Sequence, residues 1–78
     1  MGIIIQMFYS DHAPPHFHAA YAEHEALIGI KDYALIKGHL PPKIMGLVIE
    51  WASSHQEELL ADWTLASANH NPNPIEPL

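Results

Sequence analysis

The first half of the chain alternates between apolar runs of strand length and short polar breaks. Residues 3–9 form a run rich in β-branched and aromatic side chains, and shorter runs follow at 16–21 and 25–30. Such residues favour strands, and the nearly continuous apolarity of the first run predicts a strand in the centre of a sheet. Residues 33–36 can add a short fourth strand. The pattern predicts a three- or four-stranded antiparallel meander.

The second half of the chain has the period of a helix. Between residues 43 and 68, apolar positions recur at spacings of three and four, as in a helix with one buried face. Pro41 and Pro42 precede this segment, and proline is tolerated in the first helical turn. We predict one long C-terminal helix, with two consecutive helices as the alternative, because serines at 53–54 interrupt the stripe and Ser54 with Glu57 could form a capping box.

Together these elements predict an α+β fold with the antiparallel sheet packed against the long C-terminal helix. We expect a single domain over residues 1–68 and an extended, proline-rich tail over residues 69–78. A chain of 78 residues buries only about 60% of its unfolded surface. Hydrophobic residues make up 49% of the sequence, charged residues only 15%, and cysteine is absent. We therefore expect an apolar patch that a second copy or a partner protein covers.

The charge balance narrows the classes of partner. The net charge is −6, with three lysines and no arginine, so little is available to neutralise phosphates and direct binding of nucleic acid is disfavoured. No apolar run approaches the roughly 18 residues of a membrane span, and the lack of cysteine is compatible with a reducing compartment. We expect a cytoplasmic protein that forms a homo-oligomer or binds another small protein.

One short segment concentrates the candidate chemistry. Asp11, His12, His16 and His18 lie within eight positions. If Phe17 lies on a strand, His16 and His18 point to the same face, roughly 7 Å apart, and two imidazoles can then share an ion. The first interpretation is a transition-metal site, zinc for example, with His12 or Asp11 as a further ligand and an open fourth position. The alternative is structural, with Asp11 capping a turn and the histidines hydrogen-bonding across strands.

Catalysis is a second functional interpretation of the same histidines. His12, His16 and His18 could act as general acid and base in a small RNase-like enzyme, since imidazole titrates near neutral pH. The absence of arginine weighs against this hypothesis, because cleavage of RNA needs groups that stabilise the charge of the phosphate in the transition state. The composition favours a binding or interaction module over an enzyme.

A wider set of residues extends the histidine motif along the chain, and it consists of Asp11-His12-x-Pro14-Pro15-His16-Phe17-His18, Tyr21, Glu25-Ala26, Gly38-x-Leu40-Pro41, Glu50-Trp51, His55-x-x-Glu58-Leu59-Leu60-x-x-Trp63 and Ile75-Glu76-Pro77-Leu78. This set resembles a small bacterial family, the domain of unknown function family 4160. The resemblance implies the same sheet and long helix, and a gene placed beside another small gene, as in toxin-antitoxin modules. The implied partner is the small protein encoded by that neighbouring gene. Members of the family usually have glycines where this chain has Ala22-Glu23, which leaves the type of that hairpin open.

Overall fold

Residues 2–78, which the computed structural model describes, contain one antiparallel sheet and two helices. The strands pair in chain order, as β1 (Ile3–Gln6), β2 (His16–Tyr21), β3 (His24–Gly29) and β4 (Leu35–Gly38). The helices follow as α1 (Pro42–Ser54) and α2 (Gln56–Ser67). The α+β class and the four-stranded meander are confirmed.

The prediction that the first apolar run is a central strand is wrong. β1 lies at the edge of the sheet and pairs with β2. Its side chains alternate, with Ile3 and Ile5 partly buried against the core and Ile4 57% exposed. After Gln6 the chain leaves the sheet towards the end of α2, where the backbone N–H of Ser10 donates to the carbonyl of Ala66 (3.1 Å). The run is continuously apolar because both faces of β1 carry apolar side chains, although only one of the faces packs on the core.

The prediction of one long C-terminal helix is also wrong, and the alternative of two consecutive helices is the one observed. The break lies at His55, whose φ of −127° is outside the helical range. The capping box of Ser54 and Glu57 is not the cause, because the Ser54 hydroxyl donates backwards to the carbonyl of Glu50 (3.3 Å), which the Ser53 hydroxyl also contacts (2.8 Å). Hydroxyls that bond to the preceding turn in this way weaken a helix and bend it.

The core lies between the helices and one face of the sheet. Phe17 and Ile28 oppose each other across β2 and β3 and are fully buried, and Val48 of α1 and Leu59 of α2 pack into the same cluster. Gln56 holds the start of α2 near the end of β3 through a side-chain N–H that donates to the carbonyl of Ile30 (3.0 Å). Because strand side chains alternate, the residues between those of the core point to the opposite face.

The C-terminal residues 69–78 contain no helix or strand, yet they are held to the body. α2 ends in a Schellman motif, in which Asn69 has a φ of +61° and the N–H of His70 donates to the carbonyl of Leu65 (2.8 Å). Further along, the indole N–H of Trp51 donates to the carbonyl of Glu76 (2.8 Å). The tail therefore returns along the domain.

The turn between β2 and β3 provides a test of backbone strain. It consists of Ala22 and Glu23, and of these two only Ala22 has a positive φ, +52°. This is the pattern of a type II′ turn, which prefers glycine at its first central position. An L-residue there costs roughly 1 kcal/mol. We expect Ala22→Gly to raise the free energy of unfolding by about 0.5–1 kcal/mol in urea titrations, and the control Glu23→Gly to lower it. Equal losses in both variants would contradict this turn geometry.

Candidate metal centre

Three of the four predicted site residues come together. Asp11, in the loop between β1 and β2, meets two side chains of β2, and its Oδ2 lies 3.0 Å from Nε2 of His16 and 3.2 Å from Nε2 of His18. One ligand atom from each residue lies within 4.8 Å of the others. His12 is exposed, and only its backbone N–H contacts the group, by donating to Oδ1 of Asp11 (2.8 Å). The cluster is thus defined by Asp11, His16 and His18.

Local geometry places these side chains. His16 and His18 share a face because one residue separates them on a regular strand. The start of β2 is held beside the end of β3, since the N–H of Ile30 donates to the carbonyl of Pro15 (3.0 Å). The N–H of His12 engages Oδ1 of Asp11, which turns the carboxylate so that Oδ2 faces the histidines.

The cluster is shielded from solvent although it lies on the face opposite the core. Exposed fractions of the side chains are 6% for His16, 12% for His18 and 23% for Asp11. The ring of Phe8 meets His18 edge-on at 4.4 Å, and the ring of Trp63 lies 5.0 Å from that of His16. The first comes from the loop after β1 and the second from α2. The sequence did not predict these two aromatic walls at the site.

The hydrogen bonds of His16 determine which of its nitrogens carries a hydrogen. Nδ1 lies 2.7 Å from the carbonyl oxygen of Pro14, and because a carbonyl only accepts, Nδ1–H must be the donor. In the neutral ring Nε2 then carries a lone pair, and it faces another acceptor, Oδ2 of Asp11, at 3.0 Å. Two acceptors at this distance require either a proton or a metal ion between them.

The carboxylate favours its charged form. Partial burial alone would raise the pKa of Asp11, but the backbone N–H of His12 and the hydrogen bond from His18, together with the charge and hydrogen bond of His16 in its protonated form, hold this pKa below its ordinary value. Asp11 is therefore ionised at neutral pH, which is the form that binds a metal ion.

His18 has one unused nitrogen. Its Nδ1 is buried and has no hydrogen-bond partner within residues 2–78. The nearest carboxylate oxygen, Oε2 of Glu25 on β3, is 3.6 Å away, which is too far for a hydrogen bond. Sequence reasoning assigned Glu25 to the strand with no role at the site. The register shows why it belongs there, since His18 pairs with Leu27, and Glu25 lies two residues along on the same face.

The fold and this cluster define a small α+β domain that carries two histidines and one carboxylate on the outer face of its sheet. The chain belongs to the family described as domain of unknown function DUF4160, whose sequence model matches residues 2–64. This confirms the family resemblance, and the matched stretch contains the whole cluster. Searches of curated proteins and of solved structures found no match. Among the described residues, no helix is both long and apolar enough to cross a membrane.

Proposed function

We propose that this domain binds a divalent transition-metal ion, Zn²⁺, through Asp11, His16 and His18. The observation that carries the proposal is the meeting of two acceptors, Nε2 of His16 and Oδ2 of Asp11, in a shielded position. A metal ion satisfies both lone pairs at once. His18 adds a second nitrogen to the same oxygen atom.

The distances fit coordination of one ion. Zn²⁺ is bound at about 2.0–2.2 Å, so that ligand atoms in a tetrahedral set lie about 3.3 Å apart. The two nitrogen-to-oxygen distances in the cluster are 3.0 and 3.2 Å. Both are close to the separation expected in a tetrahedral set, and the ligand atoms of all three residues lie within 4.8 Å of one another. The preorganised arrangement reduces the conformational entropy that binding must overcome.

The hydrogen-bond partners of the two histidine rings also support metal binding. Histidines that bind metal usually donate their other N–H to a carbonyl or a carboxylate. His16 already does so to the carbonyl of Pro14. If Nε2 of His18 binds the ion, Nδ1 carries the hydrogen, and a shift of a few tenths of an ångström would let it donate to Glu25. Metal binding thus explains why this buried nitrogen faces a carboxylate.

The ligand types indicate the class of metal. Two imidazole nitrogens and one carboxylate are a common set for Zn²⁺ with an open fourth position, and the same set holds Fe²⁺ in non-haem oxygenases. The RNase-like alternative uses the same histidines as general acid and base, and the absence of arginine weighs against it. We therefore propose metal binding, in which the open fourth coordination position is available to a partner or substrate.

A second candidate function is that of a protein-interaction module, and one observation favours it. Every residue of β4 is exposed, including Leu35 at 49% and Ile36 at 44%, although the two side chains are consecutive on a strand. β4 forms one edge of the sheet, and such an edge can pair with a strand of another chain. A second copy of the chain or the product of a neighbouring gene in a toxin-antitoxin-like pair is the proposed partner.

Native mass spectrometry of the untagged protein, with Zn²⁺ and with chelator, tests both candidates in one spectrum. We expect one Zn²⁺ per chain, lost in His16→Ala and in His18→Ala. His12→Ala is the matched control and should retain the ion, because the His12 ring lies outside the cluster. Failure of the wild type to bind one Zn²⁺ at micromolar free ion would contradict the metal site. A mass of two copies would support the interaction module, and a monomer at all concentrations would argue against self-pairing.

A further inference from the structure

A groove between β1 and the two helices is covered by the C-terminal tail. Side chains of β1, of the residue after β1 and of both helices form its walls. These side chains include Ile3, Ile5, Met7, Trp51, Leu59 and Asp62. A cavity of about 340 Å³ remains between these walls and the tail residues Pro72, Ile75 and Pro77.

Two polar side chains of the groove contact the backbone of the tail. Trp51 donates its indole N–H to the carbonyl of Glu76 (2.8 Å), the residue before Pro77. Oδ1 of Asp62 accepts the N–H of Asn73 (2.9 Å). Because both contacts use backbone atoms, they constrain the path of the occupant more than its side chains. Grooves lined with aromatic side chains are typical binding sites for extended, proline-rich peptides.

Asp62 is unusual among the groove residues because it is charged and only 5% exposed. Burial raises the pKa of Asp62 above its ordinary value, the N–H of Asn73 acts in the opposite direction, and the charge of Glu58 adds to the rise. A buried carboxylate needs hydrogen-bond donors. The donor that meets it here is the backbone N–H of Asn73 in the tail.

Ile75 provides the apolar contact between the two polar ones. It is partly buried and packs against the core, whereas Leu78 is 41% exposed. The proline at 74 and the one at 77 favour an extended backbone on either side of it. The bound pattern is therefore a backbone donor, an apolar side chain two residues later, and a carbonyl followed by proline.

We infer that this groove is a binding site for an extended, proline-containing segment of another protein, and that residues 69–78 occupy it when that segment is absent. The tail stands in for the ligand, since it shows which atoms the groove recognises. It is held by a few hydrogen bonds and one apolar side chain, which places it at the low-stability end of a fold. The inference does not depend on Asp11, His16 or His18.

Competition between the attached tail and a free peptide sets the conditions of the test. A short tether gives a local concentration of about 1 mM. A tail that is docked in nine molecules out of ten then corresponds to a dissociation constant of about 0.1 mM for the same sequence as a free peptide. The full-length variant Ile75→Ala weakens the attached tail and leaves every wall of the groove in place.

The probe is a synthetic peptide with the sequence of residues 69–78, and the signal is the indole ¹H–¹⁵N resonance of Trp51. We expect Ile75→Ala to move this resonance from its wild-type position and the peptide to restore it saturably. A control peptide with alanine in place of the isoleucine should bind at least tenfold more weakly. The indole resonance of Trp63 and the Zn²⁺ stoichiometry should not change, so a failure here is distinguishable from a failure of the metal site.

Three outcomes would overturn the inference. The Trp51 resonance could be the same in the wild type and in Ile75→Ala, which would show that the tail does not depend on this anchor. The two peptides could act equally, or neither could restore the resonance, which would show that the groove does not select this pattern. The protein could instead form a concentration-dependent dimer that restores the resonance without peptide, which would make the tail of a second copy the occupant.

Discussion

Zn²⁺ is expected to raise the free energy of unfolding of this domain by about 4 kcal/mol when the free ion is present at a thousand times its dissociation constant. The ion stabilises because the folded chain holds its three ligands together. His16 and His18 lie on β2, whereas Asp11 lies in the preceding loop. Urea titrations with Zn²⁺ and with chelator measure the difference directly.

The variant Asp11→Asn separates coordination from general stabilisation. It keeps the shape of the side chain and removes the charged oxygen that both histidines face. If the affinity for Zn²⁺ falls a hundredfold, the stabilisation at the same ion concentration drops to about 1.4 kcal/mol. His12→Ala should keep the full increment. An equal response of Asp11→Asn and the wild type would exclude Asp11 as a ligand.

Gly38→Ala is expected to reduce the free energy of unfolding by about 3 kcal/mol or more. Gly38 ends β4 with a φ of +85°, and a Cβ on it would collide with the carbonyl oxygen of Glu25. That carbonyl also accepts the N–H of His39 (3.0 Å). Alanine therefore adds the steric cost of a left-handed backbone and forces β4 away from β3. Urea unfolding of the variant measures this loss.

Gly46→Ala is the matched control for this substitution. Gly46 lies in α1, is exposed, and an added Cβ would meet nothing within 4 Å among the described residues. Alanine is preferred over glycine in a helix by about 1 kcal/mol, so the control should be more stable than the wild type. Similar stabilities of the two variants would contradict the close approach of Gly38 to the carbonyl oxygen of Glu25. The contrast thus isolates one backbone contact between β3 and β4.

Part of the candidate site follows from the sequence alone. The pairing of His16 and His18 on one face results from the alternation of side chains along a strand, which is a local property. The choice of Asp11 rather than His12 as their partner could not be predicted, because it depends on the path of an irregular loop. Glu25 could be found only from the register between β2 and β3. The walls formed by Phe8 and Trp63 required knowledge of where α2 ends on the sheet.

The amino-acid pattern was sufficient for the α+β class and for an antiparallel sheet, since periods of two and of three to four residues are set by backbone geometry. The resemblance of the motif residues was sufficient for the family. The pattern was insufficient for the edge position of β1, for the break at His55 and for the docking of the tail over its groove. Each of these depends on contacts between residues distant in sequence, or on a competition between a side chain and the backbone whose outcome varies with context. Short-range patterns determine which elements form, and the packing of those elements determines which atoms share a site.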